Sequence, residues 1–197
     1  MKRFIFLGLV LVLGFSSYAN GNKEEVLLFI RHGSSMDIDF MVEQEIGVMM
    51  SMLEEAGFKV IVATDSGEPI KDRSGKSKIL KPDLKLADVK INDYVGIIMP
   101  CMAKGRYRQP TPEEISLVKE AVAQGKPIAA QRNAIGILGE AGVLEDKKCA
   151  LPFGEFKGVI QDGNIITSSY CPYAARSYRT DDGTPELTKL FIETIKD

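Results

Sequence analysis

Short, nearly unbroken apolar runs recur along this chain, and they restrict its fold more than any other feature. Glu25 to Arg31 (EVLLFIR), Lys59 to Ala63 (KVIVA), Tyr94 to Pro100 (YVGIIMP) and Pro127 to Ala130 are each a few residues long. Strands that are apolar at successive positions must be covered on both faces, as in a parallel sheet between helical layers. Between the first two runs, Met41, Ile46, Met49, Met50 and Leu53 repeat at helical spacing, and Gly57 closes the segment, predicting a helix over 40–56. Strand, helix, strand within about forty residues is a right-handed crossover unit. Thr111-Pro112-Glu113-Glu114 starts a second helix, with Thr as N-cap and Glu114 in capping-box position, running to about Gln124. Residues 64–78 are polar and Gly-rich, a loop or irregular excursion. After Gly142, Lys148 to Leu151 and Gly158 to Gln161 read as strands. Asp162-Gly163 reads as a hairpin turn and Asn164 to Ser168 as the returning strand. Thr184-Pro185 opens a last helix that buries Leu187, Leu190, Phe191 and Ile195. The pattern predicts an α/β fold: a three-layer α/β/α sandwich, flavodoxin-like, with a mainly parallel sheet.

The fourth run leads into GKPIAAQRNAIGILGEAGVL, a strand, an abrupt turn and a short helix ending at Gly142. Ala130 and Ala134 sit two residues before and two after Arg132. That is the spacing of a nucleophile elbow, where flanking small residues let the backbones pack closely beneath one exposed side chain. An enzyme would carry Ser or Cys at the centre. Arg132 stays protonated and has only donors, so it cannot attack a substrate.

This segment resembles that of the ThiJ/PfpI family in the class I glutamine amidotransferase-like superfamily, with Arg132 in the place of the elbow cysteine. The resemblance runs over most of the chain after the first 19 residues. It implies a pocket above the elbow. Glu45 lies twelve residues before Gly57, the spacing of the family glutamate that hydrogen-bonds the cysteine; the alternative is an exposed helix glutamate like Glu43. The family has Pro-Gly-Gly after the third strand, part of its oxyanion site. Here Pro100-Cys101-Met102 puts side chains into that space. After the last strand the family has Ser-Arg-Gly-Pro-Gly, and this chain has Ser169-Tyr170-Cys171-Pro172-Tyr173. Asn133 follows the elbow. The implied cleft is thus Glu45, Cys101, Met102, Arg132, Asn133, Tyr170 and Cys171. The resemblance also places Cys101 and Cys171 near each other, as two thiols or as a disulfide. It sets Glu45 as the nearest anion for Arg132, predicting a charge-assisted pair. Arg176 and Arg179 face either the pocket or solvent.

Other signals are weaker. Arg31-His32-Gly33 at a strand end looks like a histidine phosphatase motif, but that chemistry needs a second histidine and the chain has one. No thiol or His spacing fits a metal site, Cys-Pro-Tyr is no redox motif, and no phosphate-binding glycine fingerprint is present, so neither metal nor cofactor is expected. The charge of -2 gives no reason to expect a nucleic-acid partner. Lys2 and Arg3, the apolar stretch Phe4 to Phe15 and Ser17-Tyr18-Ala19 form a signal peptide, residues 1–19. Its removal takes the basic count from 25 to 23, against 27 acidic residues, leaving -4. The expectation is a single domain, 20–197, periplasmic or secreted, with no stable membrane anchor after cleavage. Three cysteines leave at least one unpaired, and Cys149, in an apolar run, is expected to be a buried free thiol.

Two functions follow. In one, the domain is catalytically silent at the elbow and binds a small, anionic ligand or a protein partner in the cleft. In the other, it is a thiol enzyme of the ThiJ/PfpI type (deglycase, glyoxalase III, peptidase or amidase-like) using Cys101 or Cys171. The missing elbow nucleophile favours the first. A homodimer is open.

Overall fold

In the computed structural model, residues 23–31, 37–101, 109–151 and 154–197 are described. The leader (1–19), His32, Gly33, Ser34 and Met102 lie outside them.

The first apolar run forms β1 (Glu25–Ile30), hydrogen-bonded in parallel to β2 (Lys59–Thr64) on one side and β6 (Gly96–Met99) on the other. Its residues Val26 to Ile30 are all buried, as the unbroken apolar pattern requires. β5 (Leu84–Lys85) extends the sheet beyond β2. β7 (Ile128–Gln131), β9 (Ile165–Ser168) and β8 (Val159–Asp162) complete the other side, giving the order β5-β2-β1-β6-β7-β9-β8. Among the described strands of this sheet, only the β8–β9 pair is antiparallel. The excursion 64–78 contributes to a separate ribbon, β3 (Ile70–Lys71) with β4 (Lys78–Leu80).

Alternating strand residues feed two cores. Leu28, Ile30, Ile98 and Ile166 pack with Met41, Ile46, Met49, Leu53, Leu187 and Phe191 on one face. Leu27, Phe29, Ile97 and Ile128 pack with Leu117, Val118, Ile137 and Leu138 on the other. The architecture is the expected three-layer α/β/α sandwich. Helices α1 (Ile38–Met41), α2 (Gly47–Glu55) and α6 (Thr184–Lys196) cover the first face; α3 (Pro112–Ala123) and α4 (Ile135–Glu140) cover the second.

Four local details differ from expectation. The first helix is interrupted at Val42–Ile46 by a π-helical turn. Lys148 to Leu151 is not a strand. Its backbone is held by side chains instead, Lys148 N donating to Asp162 Oδ2 (3.0 Å) and Ala150 N to Thr167 Oγ1 (2.8 Å). Cys149, in that irregular stretch, is half-buried rather than buried. A helix not expected from the sequence, α5 (Pro172–Tyr178), follows β9.

The capping box reads as predicted: Thr111 Oγ1 accepts from Glu114 N and Glu114 Oε2 from Thr111 N. Glu114 is also fully buried, where its Oε1 accepts from Arg31 Nε at 3.0 Å. Arg31 follows β1 directly and also donates to the Gln109 carbonyl. This pair ties the start of α3 to the carboxyl end of β1.

Candidate functional site above the elbow

In an open parallel sheet, ligands bind beyond the carboxyl ends of the strands, where the direction of winding reverses. Here β1 is followed by β2 on one side and then β6 on the other, so the reversal lies between β1 and β6. Cys101 follows β6, Arg132 follows β7, and Ser169 to Cys171 follow β9.

Arg132 has φ 47, a left-handed conformation that non-glycine residues rarely adopt. A strained residue between a strand and a helical turn is the backbone signature of an elbow. Arg132–Ala134 is a single 3-10 turn leading into α4. Ala130 and Ala134 are buried where the backbones pack. Gln131, the last residue of β7, fixes the base of the turn: its Nε2 donates to the Tyr170 carbonyl (2.7 Å) and to Thr184 Oγ1 (2.8 Å).

The expected ion pair between Arg132 and Glu45 does not form. The Arg132 guanidinium turns toward β9 and α5, with Nη1 3.4 Å from the Ser169 carbonyl and the carbon of the guanidinium 5.6 Å from the Tyr178 ring centre. No carboxylate among the described residues reaches it within ion-pairing distance. The physical reason lies in Glu45, which already serves another donor. It sits in the π turn, fully buried, and its Oε1 accepts the Cys101 backbone N–H at 2.6 Å. A charge-assisted bond of that length satisfies much of the buried carboxylate's demand. The π turn widens the helix locally, a feature frequent where a side chain is placed for a specific contact.

Cys101 and Cys171 are both buried in the same core cluster, on loops that follow the two strands flanking β7. Both are free cysteines. Burial pushes the Cys101 thiol well up, with the Cys171 thiol and the Glu45 charge acting in the same direction. Cys171 is shifted the other way. The Cys101 thiol lowers it most, and the backbone at Ala174, the Arg132 charge and the backbone at Tyr173 assist against desolvation. Cys171 is the N-cap of α5 and its side chain makes no cap hydrogen bond. The Asn133 backbone lowers the Cys101 thiol, the smallest of these influences.

Tyr170 acts through its backbone, its carbonyl accepting from Gln131 and from Ser168 Oγ. Arg176 does not face the elbow. It pairs with Asp37 Oδ2 at 2.6 Å and lies 4.0 Å over the Phe40 ring, tying α5 to α1. Arg179 is exposed and closes α5 in a left-handed conformation. Among the described residues no group of three His, Cys, Asp or Glu could hold a metal ion. Sequence reasoning missed Gln131 and the Arg31–Glu114 pair. Gln131 offered a signal, a polar residue closing an apolar buried run. Tyr178 offered none, since its ring is 63% exposed and is placed only by the helix after β9.

Solved structures repeat this fold. The chain is 30% identical over 128 residues to an uncharacterized protein of Archaeoglobus fulgidus, covering 59% of this chain and 75% of that one. A two-domain protein from Anabaena variabilis, containing DJ-1/ThiJ/PfpI-like and ferritin-like domains, superposes with a TM-score of 0.65 at 21% identity over 88% of this chain. This chain spans only 48% of that protein. Drosophila melanogaster DJ-1beta superposes with a TM-score of 0.62 at 22% identity, covering 88% of this chain and 90% of that one. The sequence pattern of the DJ-1/PfpI family matches residues 36–177, from just before α1 to the end of α5. With most of the sheet, the elbow and both flanking loops inside that match, the chain belongs to the DJ-1/PfpI family.

Proposed function

We propose that this protein is an exported DJ-1/PfpI-family domain whose elbow is catalytically silent and whose cleft binds a small anion, a carboxylate or a phosphate. The observation that carries this reading is Arg132 itself. It holds the elbow's strained conformation, and its half-buried guanidinium has a carbonyl at 3.4 Å and a ring face as its partners. Guanidinium donors arranged in a fork suit planar or tetrahedral oxyanions, and a half-buried cation gains more from such a partner than an exposed one does. Silence is supported by a backbone donor. The Cys101 N–H is spent on Glu45, so it is not poised for a developing oxyanion. Export rests on the leader, residues 1–19. No described helix is long and apolar enough to cross a membrane.

Thermal shift of the purified mature chain against inorganic phosphate, succinate and acetate tests the binding. At least one of these should raise the melting temperature of the wild type by several degrees and leave Arg132→Gln unmoved. Equal shifts in both proteins, or none in either, would contradict it.

A second reading, thiol chemistry at Cys171, draws on the lowered thiol of that residue beside Arg132. Under reducing conditions, native-state labelling with iodoacetamide would find a fast-reacting Cys171 only if this reading holds.

A further inference from the structure

We propose that the β3–β4 ribbon is a cationic docking element that seats the protein on the headgroups of an anionic phospholipid membrane. The inference does not depend on what the cleft above the elbow binds. It takes from the proposed function only that the exported chain meets a membrane surface.

Charge is distributed unevenly along the chain. Residues 70–85 carry six basic side chains, Lys71, Arg73, Lys76, Lys78, Lys81 and Lys85, against two acidic ones, Asp72 and Asp83. All six basic residues are exposed. Asp65 and Glu68 precede the ribbon. Without Lys2 and Arg3 the basic count of the chain falls from 25 to 23, against 27 acidic residues, so the ribbon is a basic patch on an acidic molecule.

The pairing of the ribbon explains why the charges face outward. Ile70 lies opposite Leu80 and Lys71 opposite Lys78, with an irregular register between the two pairs. Ile70 is buried in the first core, and Ile79 and Leu80 pack against it. Side chains alternate along a strand, so Lys71 points away from that core and Lys78 opposite it does the same. Like charges directly opposite one another destabilise a ribbon, and a bound anion would relieve the cost.

The two acidic residues do not offset the lysines. Asp72 shapes the turn: its Oδ1 accepts from Lys76 N and from Ser74 Oγ, both at 2.9 Å, and its backbone N–H donates to the Ser77 carbonyl at 2.8 Å. Asp83 Oδ2 accepts from Val62 N at 2.9 Å, which anchors the returning chain to β2. Lys85 pairs with Asp88 at 3.8 Å. Among the described residues no carboxylate comes within ion-pairing distance of Lys71, Arg73, Lys76, Lys78 or Lys81.

The chemistry of these five cations fits a lipid surface. Four are lysines, compact charges on flexible stems, whereas the rigid fork of arginine suits a partner of fixed geometry. Headgroup phosphates in a fluid leaflet have no fixed geometry. The ribbon exposes no large apolar side chain, so it adsorbs to the headgroups without inserting. Electrostatic attraction at physiological ionic strength reaches about 8 Å, so an anionic leaflet responds to the ribbon rather than to the net charge of the molecule. The acidic remainder is repelled, which turns the ribbon toward the membrane.

Sedimentation of the mature chain with vesicles tests this. One set is phosphatidylcholine alone and the other is an equal mixture of phosphatidylcholine and phosphatidylglycerol. The wild type should bind the mixed vesicles, ignore the neutral ones and be released as salt is raised. Each Lys near an anionic surface contributes roughly fivefold to partitioning, so Lys71→Gln/Lys76→Gln/Lys78→Gln should bind roughly a hundredfold more weakly. Lys119→Gln/Lys157→Gln/Lys189→Gln removes three exposed lysines elsewhere, with the same change in net charge, and should bind nearly as the wild type does. No binding to the mixed vesicles, equal binding to both sets, or equal losses in the two triple variants would overturn the proposal. So would failure on vesicles combined with ribbon-dependent retention on heparin, which would give the ribbon to a soluble acidic polymer. The comparison of the two vesicle sets decides for the wild type even if a variant fails to fold. Export is read separately, from whether the mature amino terminus begins after Ala19.

Discussion

An arginine with φ 47 is held where its Cβ crowds the adjoining backbone, a cost glycine escapes and alanine does not. If Arg132 is a true elbow position, Arg132→Gly should be more stable than Arg132→Ala by about 1 kcal/mol, read from urea denaturation midpoints. Equal stability of the two variants would show that the turn relaxes freely. Glu45 offers a second residue-scale test. Its carboxylate is the acceptor for a buried backbone N–H, so Glu45→Ala strands that donor and should cost about 2 kcal/mol in the same assay. The position of Glu45 was legible in its spacing to Gly57. Its partner was not. Sequence shows that Arg132 and Glu45 carry opposite charges near one edge. It does not show that a backbone donor at 2.6 Å has already claimed the carboxylate, or that a carbonyl and the Tyr178 ring hold the guanidinium.

Strands and long helices were readable because burial on both faces leaves an unbroken apolar record, as β1 and β6 show. The irregular pieces were not. A π turn at Val42–Ile46 has the same composition as an α turn, and the choice is made by what Glu45 must reach. Lys148 to Leu151 looked like a strand because it is apolar, yet its backbone is satisfied by Asp162 and Thr167 side chains. Helix α5 was hidden by its short length and by arginines that read as surface. Packing between elements gives a further prediction at Gly96, which starts β6 beneath α6. A Cβ there would lie 2.9 Å from the Phe191 ring and 3.0 Å from the Pro127 carbonyl. Gly96→Ala should therefore cost about 1–3 kcal/mol, as overpacked cores do. A variant as stable as wild type would mean that α6 shifts without resistance.

At the scale of the whole molecule, the DJ-1/PfpI sheet brings the loops after β6, β7 and β9 together at its carboxyl edge, with Arg132 at the elbow. The family scaffold was legible because strand order, elbow spacing and the Glu45 helix depend on many residues at once. What the altered edge does depends on few: Arg132, Glu45, Cys101 and Cys171. We propose that an arginine at the elbow ends the family's thiol chemistry at that position. Methylglyoxal turnover by the reduced wild-type protein, measured beside the Cys101→Ser/Cys171→Ser double variant, tests it most directly. Neither protein should consume methylglyoxal above the uncatalysed rate; saturable turnover by the wild type that disappears in the double variant would contradict the proposal and move the active centre to Cys101 or Cys171.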